Sequence, residues 1–149
     1  MLFRIVHTVN DPAVTLVRLV LGGIMFAHAA QKVFGWFGGN GWGPAIEFYS
    51  GVLGIPVAIA AFAIVTELVS AVGMIAGFLS RLAALGIIGI MIGAIAIMIG
   101  PNGFFMNWFG QMEAGAEGYE YHLLVIAMAI LLVVRGGGAL SVDRFLTVR

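Results

Sequence analysis

The chain has no cysteine and little charge: only 9 % of its 149 residues are charged, and the net formal charge is zero. Without cysteine, disulfides, thiol redox chemistry, iron–sulfur clusters and covalently attached haem are excluded within this chain. The few basic residues are scattered, so the basic patch that nucleic-acid binding requires is missing. No metal-binding or nucleophilic catalytic motif is present either, and we predict no metal site.

Hydrophobic residues are abundant instead, at 62 % of the chain with a mean hydropathy of +1.10. A soluble protein has about 45–50 %. A domain of this size still exposes about a third of the surface of its unfolded chain, so it cannot hide such a surplus. We therefore predict one domain over residues 1–149 that is integral to the cell (plasma or inner) membrane, with the lipid bilayer as its first partner.

Four apolar stretches approach the roughly 20 residues that cross a bilayer, at about 12–31, 56–79, 82–100 and 119–136. Asp11-Pro12 is typical of a helix start, and Gly136-Gly137-Gly138 of a helix stop. Arg18 interrupts the first stretch, which favours a retained helix over a cleaved signal peptide. These features predict an all-α, four-helix transmembrane bundle, with the second and third spans joined by a turn at Ser80-Arg81.

The basic residues also predict an orientation. Four spans place both termini and the turn between the second and third spans on one side, together with five basic residues: Arg4, Arg81, Arg135, Arg144 and Arg149. The other side has only Lys32. Because positive charge is retained in the cytoplasm, we predict a multi-pass protein with both termini cytoplasmic and both long loops outside.

Ionisable side chains within the spans are candidates for function because burying charge in lipid is costly. Arg18 lies roughly 9 Å from the cytoplasmic end, and Glu67 roughly 17 Å from the outer end, at about 1.5 Å per residue. The two depths differ by about one helical turn, so a structural ion pair between them is one interpretation. The other is that Glu67 lines a polar cavity, where it exchanges protons or binds a headgroup.

A second group of polar residues lies near the outer end of the bundle. Lys32 either extends to the headgroups or joins a site with His28, which itself either bonds across the bundle or acts on a ligand. Glu120 and His122 point in opposite directions, so only one of them faces His28. His28 and His122 could in principle ligate a b-type haem, but two histidines at similar depth are not sufficient evidence to predict one. The candidate pocket therefore comprises six residues: Arg18, His28, Lys32, Glu67, Glu120 and His122.

The two outer loops are rich in aromatic residues. These are Trp36, Phe37, Trp42, Phe48 and Tyr49 in the first loop, and Phe104, Phe105, Trp108 and Phe109 in the second. They form either an interfacial belt or a lid or docking surface over the bundle.

Three ordered motifs resemble the DoxX/DoxD family of small membrane proteins. The first runs from His28 to Gly35, with alanine where the family has glycine after the histidine. The second combines Glu67, Gly73 and Gly77 with Arg81. The third is the ending Gly136-Gly137-Gly138-Ala139-Leu140-Ser141-Val142-Asp143.

The resemblance implies a membrane subunit of a quinone-linked oxidoreductase system, working with other membrane or extracytoplasmic subunits. It makes His28, Lys32 and Glu67 candidates for a quinone or proton site, with quinone as a substrate and no cofactor held by the chain. Two alternatives stay open: a non-enzymatic scaffold that uses the aromatic loops, and a small-solute or proton transporter built as a homo-oligomer.

Overall fold

The computed structural model describes residues 6–110, 113 and 116–147, and each regular element in these ranges is helical. Arg4 and Arg149, which contribute to the predicted orientation, lie outside the described residues. The helices are α1 Pro12–Val33, α2 Trp42–Glu47, α3 Val57–Ala76, α4 Ser80–Ala94, α5 Glu120–Arg135 and α6 Val142–Thr147. A π-helical turn, Phe48–Val52, continues α2, and α4 continues through a π-helical turn, Ile95–Ile99, and a 3₁₀ turn, Gly100–Asn102.

Within the described part of the chain, three helices are long and apolar enough to cross a membrane: α1, α3, and α4 with its extension to Asn102. They agree with the first three predicted spans to within a few residues. Helix α5 covers most of the fourth predicted span, but its 16 residues are shorter than the other three.

The predicted starts and stops of the helices have clear causes. The Asp11 side chain accepts a hydrogen bond of 2.8 Å from the Ala13 amide at the start of α1. Helix α3 ends at Gly77, whose φ of 69° is in the left-handed region. The sequence predicts the turn to α4 at Ser80-Arg81, but in the structure it lies at residues 77–79. Ser80 and Arg81 instead form the first turn of α4.

The long helices enclose a core by packing side against side. Helix α3 packs against α1 and α4, while α5 packs against α4 and α1. A Cβ atom at Gly22 would lie 2.8 Å from the Met74 Cβ, so glycine is what allows α1 and α3 to approach this closely. Phe62 and Val69 are 73 % and 64 % exposed on the outer side of α3, as expected for a surface that faces lipid.

The two ends of the helices differ. At the terminal end, where α1 begins and α5 finishes, the segment after α5 packs back on residues 8–15. The Gly138 amide donates to the Thr8 hydroxyl at 2.7 Å, and the Ala139 amide to the Asp11 carbonyl at 3.2 Å. At the loop end, residues 34–56 and 103–119 connect the helices.

Candidate functional site

A buried ion pair joins α1 to α3. The Lys32 Nζ donates to both oxygens of the Glu67 carboxylate, each at 2.7 Å. The Glu67 side chain is 3 % exposed, whereas that of Lys32 is 27 % exposed and reaches inward from the loop end. We call these two residues the loop-end ion pair. The ion pair of Arg18 with Glu67, one of the two interpretations of the sequence, does not form, because Lys32 bonds the Glu67 carboxylate while the Arg18 guanidinium bonds main-chain carbonyls at the terminal end.

The loop-end ion pair lies between two cavities. The first, of about 180 Å³, is bounded mainly by apolar side chains of α3, of α4 with its extension, and of the first loop, and Glu67 lines it. The second, of about 350 Å³, lies at the loop end between the end of α1 and the first loop, and Lys32 lines it. Each charged residue thus faces a different cavity, and Tyr49 and Met98 line both.

Arg18 is 1 % exposed and makes its hydrogen bonds with main-chain carbonyls at the terminal end. Its guanidinium donates to Gly137 O at 2.7 Å and Ile75 O at 2.8 Å, and also to Met74 O and Leu140 O. These carbonyls belong to the last turn of α3 and to the segment after α5. Because its donors are directed at the backbone, Arg18 fastens the C-terminal segment to the helices and does not contribute to the predicted pocket.

Asp143, also 1 % exposed, completes this arrangement. Its carboxylate accepts hydrogen bonds of 2.8 Å from the Leu79 and Ser80 amides, which are free because α4 begins there. Asp143 and Arg18 also attract each other electrostatically. We call Arg18 and Asp143 the terminal-end charges. In the sequence, Asp143 is only the last residue of the C-terminal motif, and the motif predicts no role for it.

Of the two candidates at the start of α5, His122 is the one near His28. His28 lies on an exposed side of α1, with its ring centroid 6.2 Å from that of Tyr121. The His122 ring lies 5.7 Å from the Tyr121 ring and interacts electrostatically with His28. Tyr121 and His28 each interact electrostatically with the Glu67 carboxylate. His28, Tyr121 and His122 therefore form a cluster of polar aromatic side chains between α1 and α5, near the ion pair.

Glu120 points away from this cluster. Its carboxylate accepts hydrogen bonds of 3.2 Å from the Met106 amide and from the Trp108 indole, so it holds the second loop. Gln31 similarly donates to the Phe37 carbonyl at 3.1 Å and holds the first loop. Both residues maintain the shape of the loop end and lie outside the ion pair.

Tyr49 is the residue that sequence reasoning misses. It is one of several aromatic residues in the first loop, and nothing in their spacing distinguishes it. Tyr49 lies in the π-helical turn Phe48–Val52 and lines both cavities, whereas the neighbouring Phe48 lines only the second. Among the residues that the structure describes, no cluster of three or more histidine, aspartate or glutamate side chains could hold a metal ion.

The sequence model of the DoxX family matches residues 13–100, which contain α1 from its second residue onward, α2 to α4 and the loop-end ion pair. No curated protein matches the chain. No solved structure matches it either.

Proposed function

Since the chain belongs to the DoxX family and is an integral membrane protein, we propose that it is a membrane subunit of a quinone-linked oxidoreductase system. The observation that carries the proposal is the position of the loop-end ion pair between an apolar cavity and a cavity at the loop end. A buried ion pair at a cavity is a candidate for ligand and proton exchange, because its charges have a route to a partner.

The first cavity is suited to a quinone ring that enters it from the bilayer. Ile59 and Ile97 line it and are 58 % and 52 % exposed on the lateral surface, where they face the bilayer. A quinone ring that entered here would meet Glu67 at the inner wall of the cavity. Glu67 would relay to a ring oxygen a proton that its carboxylate takes from the Lys32 ammonium, and Lys32 would recover that proton from the second cavity, which it lines.

The electrons must come from another component, because a chain without cysteine has no thiol redox chemistry of its own. Trp108 and Phe109, which are 72 % and 88 % exposed in the second loop, offer an aromatic surface to a partner subunit. Native mass spectrometry after gentle extraction is expected to retain a redox partner. A bare homo-oligomer would contradict this part of the proposal and would favour transport.

For the topology, we propose that α5 completes a four-helix transmembrane bundle in the cell membrane, with both termini cytoplasmic. Helix α5 buries Val125, Ala129 and Leu132 along one face, a spacing suited to packing in a bundle. Arg81, Arg135 and Arg144 lie at the terminal end, and the positive-inside rule places that end in the cytoplasm.

The test is a binding titration of decylbenzoquinone with the purified protein in nanodiscs. We expect saturable binding to the wild type, and Glu67→Gln and Lys32→Met should each weaken it by about tenfold or more, the equivalent of about 1.4 kcal/mol. The double variant, Lys32→Met with Glu67→Gln, removes both charges at once and so avoids leaving one buried charge unpaired.

Glu47→Gln is the matched control, because Glu47 is an exposed carboxylate at the end of α2 that lines neither cavity. It should bind the quinone as the wild type does. Absence of saturable binding to the wild type would refute the quinone site. Full binding by a folded double variant would show that the ion pair only joins the helices.

A further inference from the structure

The two π-helical turns of the described chain meet at the candidate site. Phe48–Val52 supplies Tyr49, and Ile95–Ile99 supplies Met98, and both side chains line both cavities. A π-helical turn is less favourable than regular helix and occurs frequently at functional sites, where it redirects a side chain. Tyr49 is thereby placed where a ligand in either cavity passes.

The Tyr49 hydroxyl is free to bond a ligand. Its ring contacts Phe48, with centroids 5.9 Å apart, and its main-chain carbonyl accepts from the Ile55 amide at 2.9 Å. Neither interaction uses the hydroxyl. The side chain lines the same apolar cavity as Glu67 and interacts with the charge of that carboxylate.

The protonation state of Tyr49 makes it a permanent donor. Burial, together with the nearby Glu67 carboxylate, raises the pKa of Tyr49 to about 12. The hydroxyl therefore keeps its proton at every physiological pH. In an otherwise apolar cavity, such a donor favours a ligand that carries an acceptor oxygen, because it replaces a hydrogen bond that the ligand loses on leaving water.

We propose that Tyr49 is a ligand-binding residue whose hydroxyl donates a hydrogen bond to a carbonyl oxygen of a ring-shaped, membrane-soluble ligand. This inference rests on the proposed quinone site and assigns to Tyr49 the selectivity for carbonyl compounds over hydrocarbons of similar shape. Lys32 and Glu67 supply the charges of the site, while Tyr49 supplies a neutral donor from the first loop.

The experiment compares Tyr49→Phe with the wild type in nanodiscs, using two probes: decylbenzoquinone, and decylbenzene, which has no carbonyl. The substitution keeps the ring and removes only the hydroxyl. Loss of one hydrogen bond to a neutral acceptor should weaken benzoquinone binding by about threefold to tenfold. Decylbenzene binding should not change, because that probe cannot accept the bond.

Tyr119→Phe is the matched control. Tyr119 packs its ring against Phe104, with centroids 5.6 Å apart, at the other loop, and it lines neither cavity. This variant should bind both probes as the wild type does. If Tyr49→Phe weakens the binding of both probes equally, the residue only shapes the cavity and the inference is overturned.

The two proposals fail in different ways. If Tyr49→Phe binds benzoquinone as the wild type does while Lys32→Met and Glu67→Gln lose binding, the inference on Tyr49 is overturned and the quinone site stands. If the wild type itself shows no saturable binding, both are overturned.

Discussion

Buried charges lie at two places along the helices, and they are satisfied by different kinds of atom. The terminal-end charges, Arg18 and Asp143, use main-chain carbonyls and amides of α3, α4 and the C-terminal segment. The loop-end ion pair, Lys32 and Glu67, uses only the two side chains. A charge bonded to the backbone is part of the architecture, whereas two paired side chains can separate and rebind.

The packing around the terminal-end charges also differs from that around the loop-end ion pair. Arg18 and Asp143 are each 1 % exposed, and a Cβ atom at Gly77 would already lie 3.0 Å from the guanidinium carbon of Arg18. Each member of the loop-end ion pair faces a cavity. Burial of a charge in a membrane protein therefore does not identify a functional site by itself. The partners of the charge and its access to a cavity distinguish the two cases.

The largest effect is expected from Arg18→Met. The substitution removes the donor that satisfies carbonyls of α3 and of the C-terminal segment, and it leaves the Asp143 carboxylate without its cationic neighbour. We expect a loss of about 3–5 kcal/mol in the free energy of unfolding. Denaturant unfolding in detergent would measure it. The double variant of the loop-end ion pair is the comparison, and we expect it to lose about 1 kcal/mol or less. Equal losses at both places would break the distinction between them.

A smaller loss is expected from Gly77→Ala. At a φ of 69°, an alanine costs about 1–2 kcal/mol, and its Cβ would also lie 2.5 Å from the Ser141 Cβ. We expect a total loss of at least about 2 kcal/mol, measured by the same unfolding method. Gly23→Ala is the control, because no atom lies within 4 Å of the added Cβ and the residue is inside α1. It should leave stability unchanged or raise it by about 0.5–1 kcal/mol. A harmless Gly77→Ala would show that the C-terminal segment is not packed tightly against this turn.

The smallest effect on stability is expected from single cysteines at the two ends, which would test the proposed orientation. The chain has no cysteine, so each introduced thiol is a unique label. Phe109 and Leu140 are 88 % and 77 % exposed, and a change at either position should alter stability by less than about 0.5 kcal/mol. In intact cells, an impermeant maleimide should label Phe109→Cys and should label Leu140→Cys only after permeabilisation. The opposite pattern would reverse the predicted topology.

Much of the fold could be predicted from the sequence because it depends on local signals. The apolar runs, the Asp11-Pro12 start and the glycine stops place the helix ends within a few residues of those in the structure. The predicted turn after α3 lies two to three residues too late, because the Asp143 carboxylate caps Leu79 and Ser80 from a distant part of the chain.

The candidate site was predicted only in part. Its ionisable residues are visible in the sequence because charge is rare in the spans. Their partners are not visible, since pairing depends on how far one helix is shifted and rotated relative to the next. Arg18 and Glu67 have compatible depths, yet Arg18 binds carbonyls and Glu67 binds Lys32. Tyr49 carried no signal at all, because its position depends on a π-helical turn.

The sequence is sufficient to show that this is a helical membrane protein of the DoxX family with few, and therefore informative, charges. Hydropathy and helix capping act over a few residues, so they can be read directly from the chain. Which charges join the helices and which face a cavity depends instead on how the helices pack. Those contacts join residues that are 35 to 122 positions apart, and their geometry arises from helix packing.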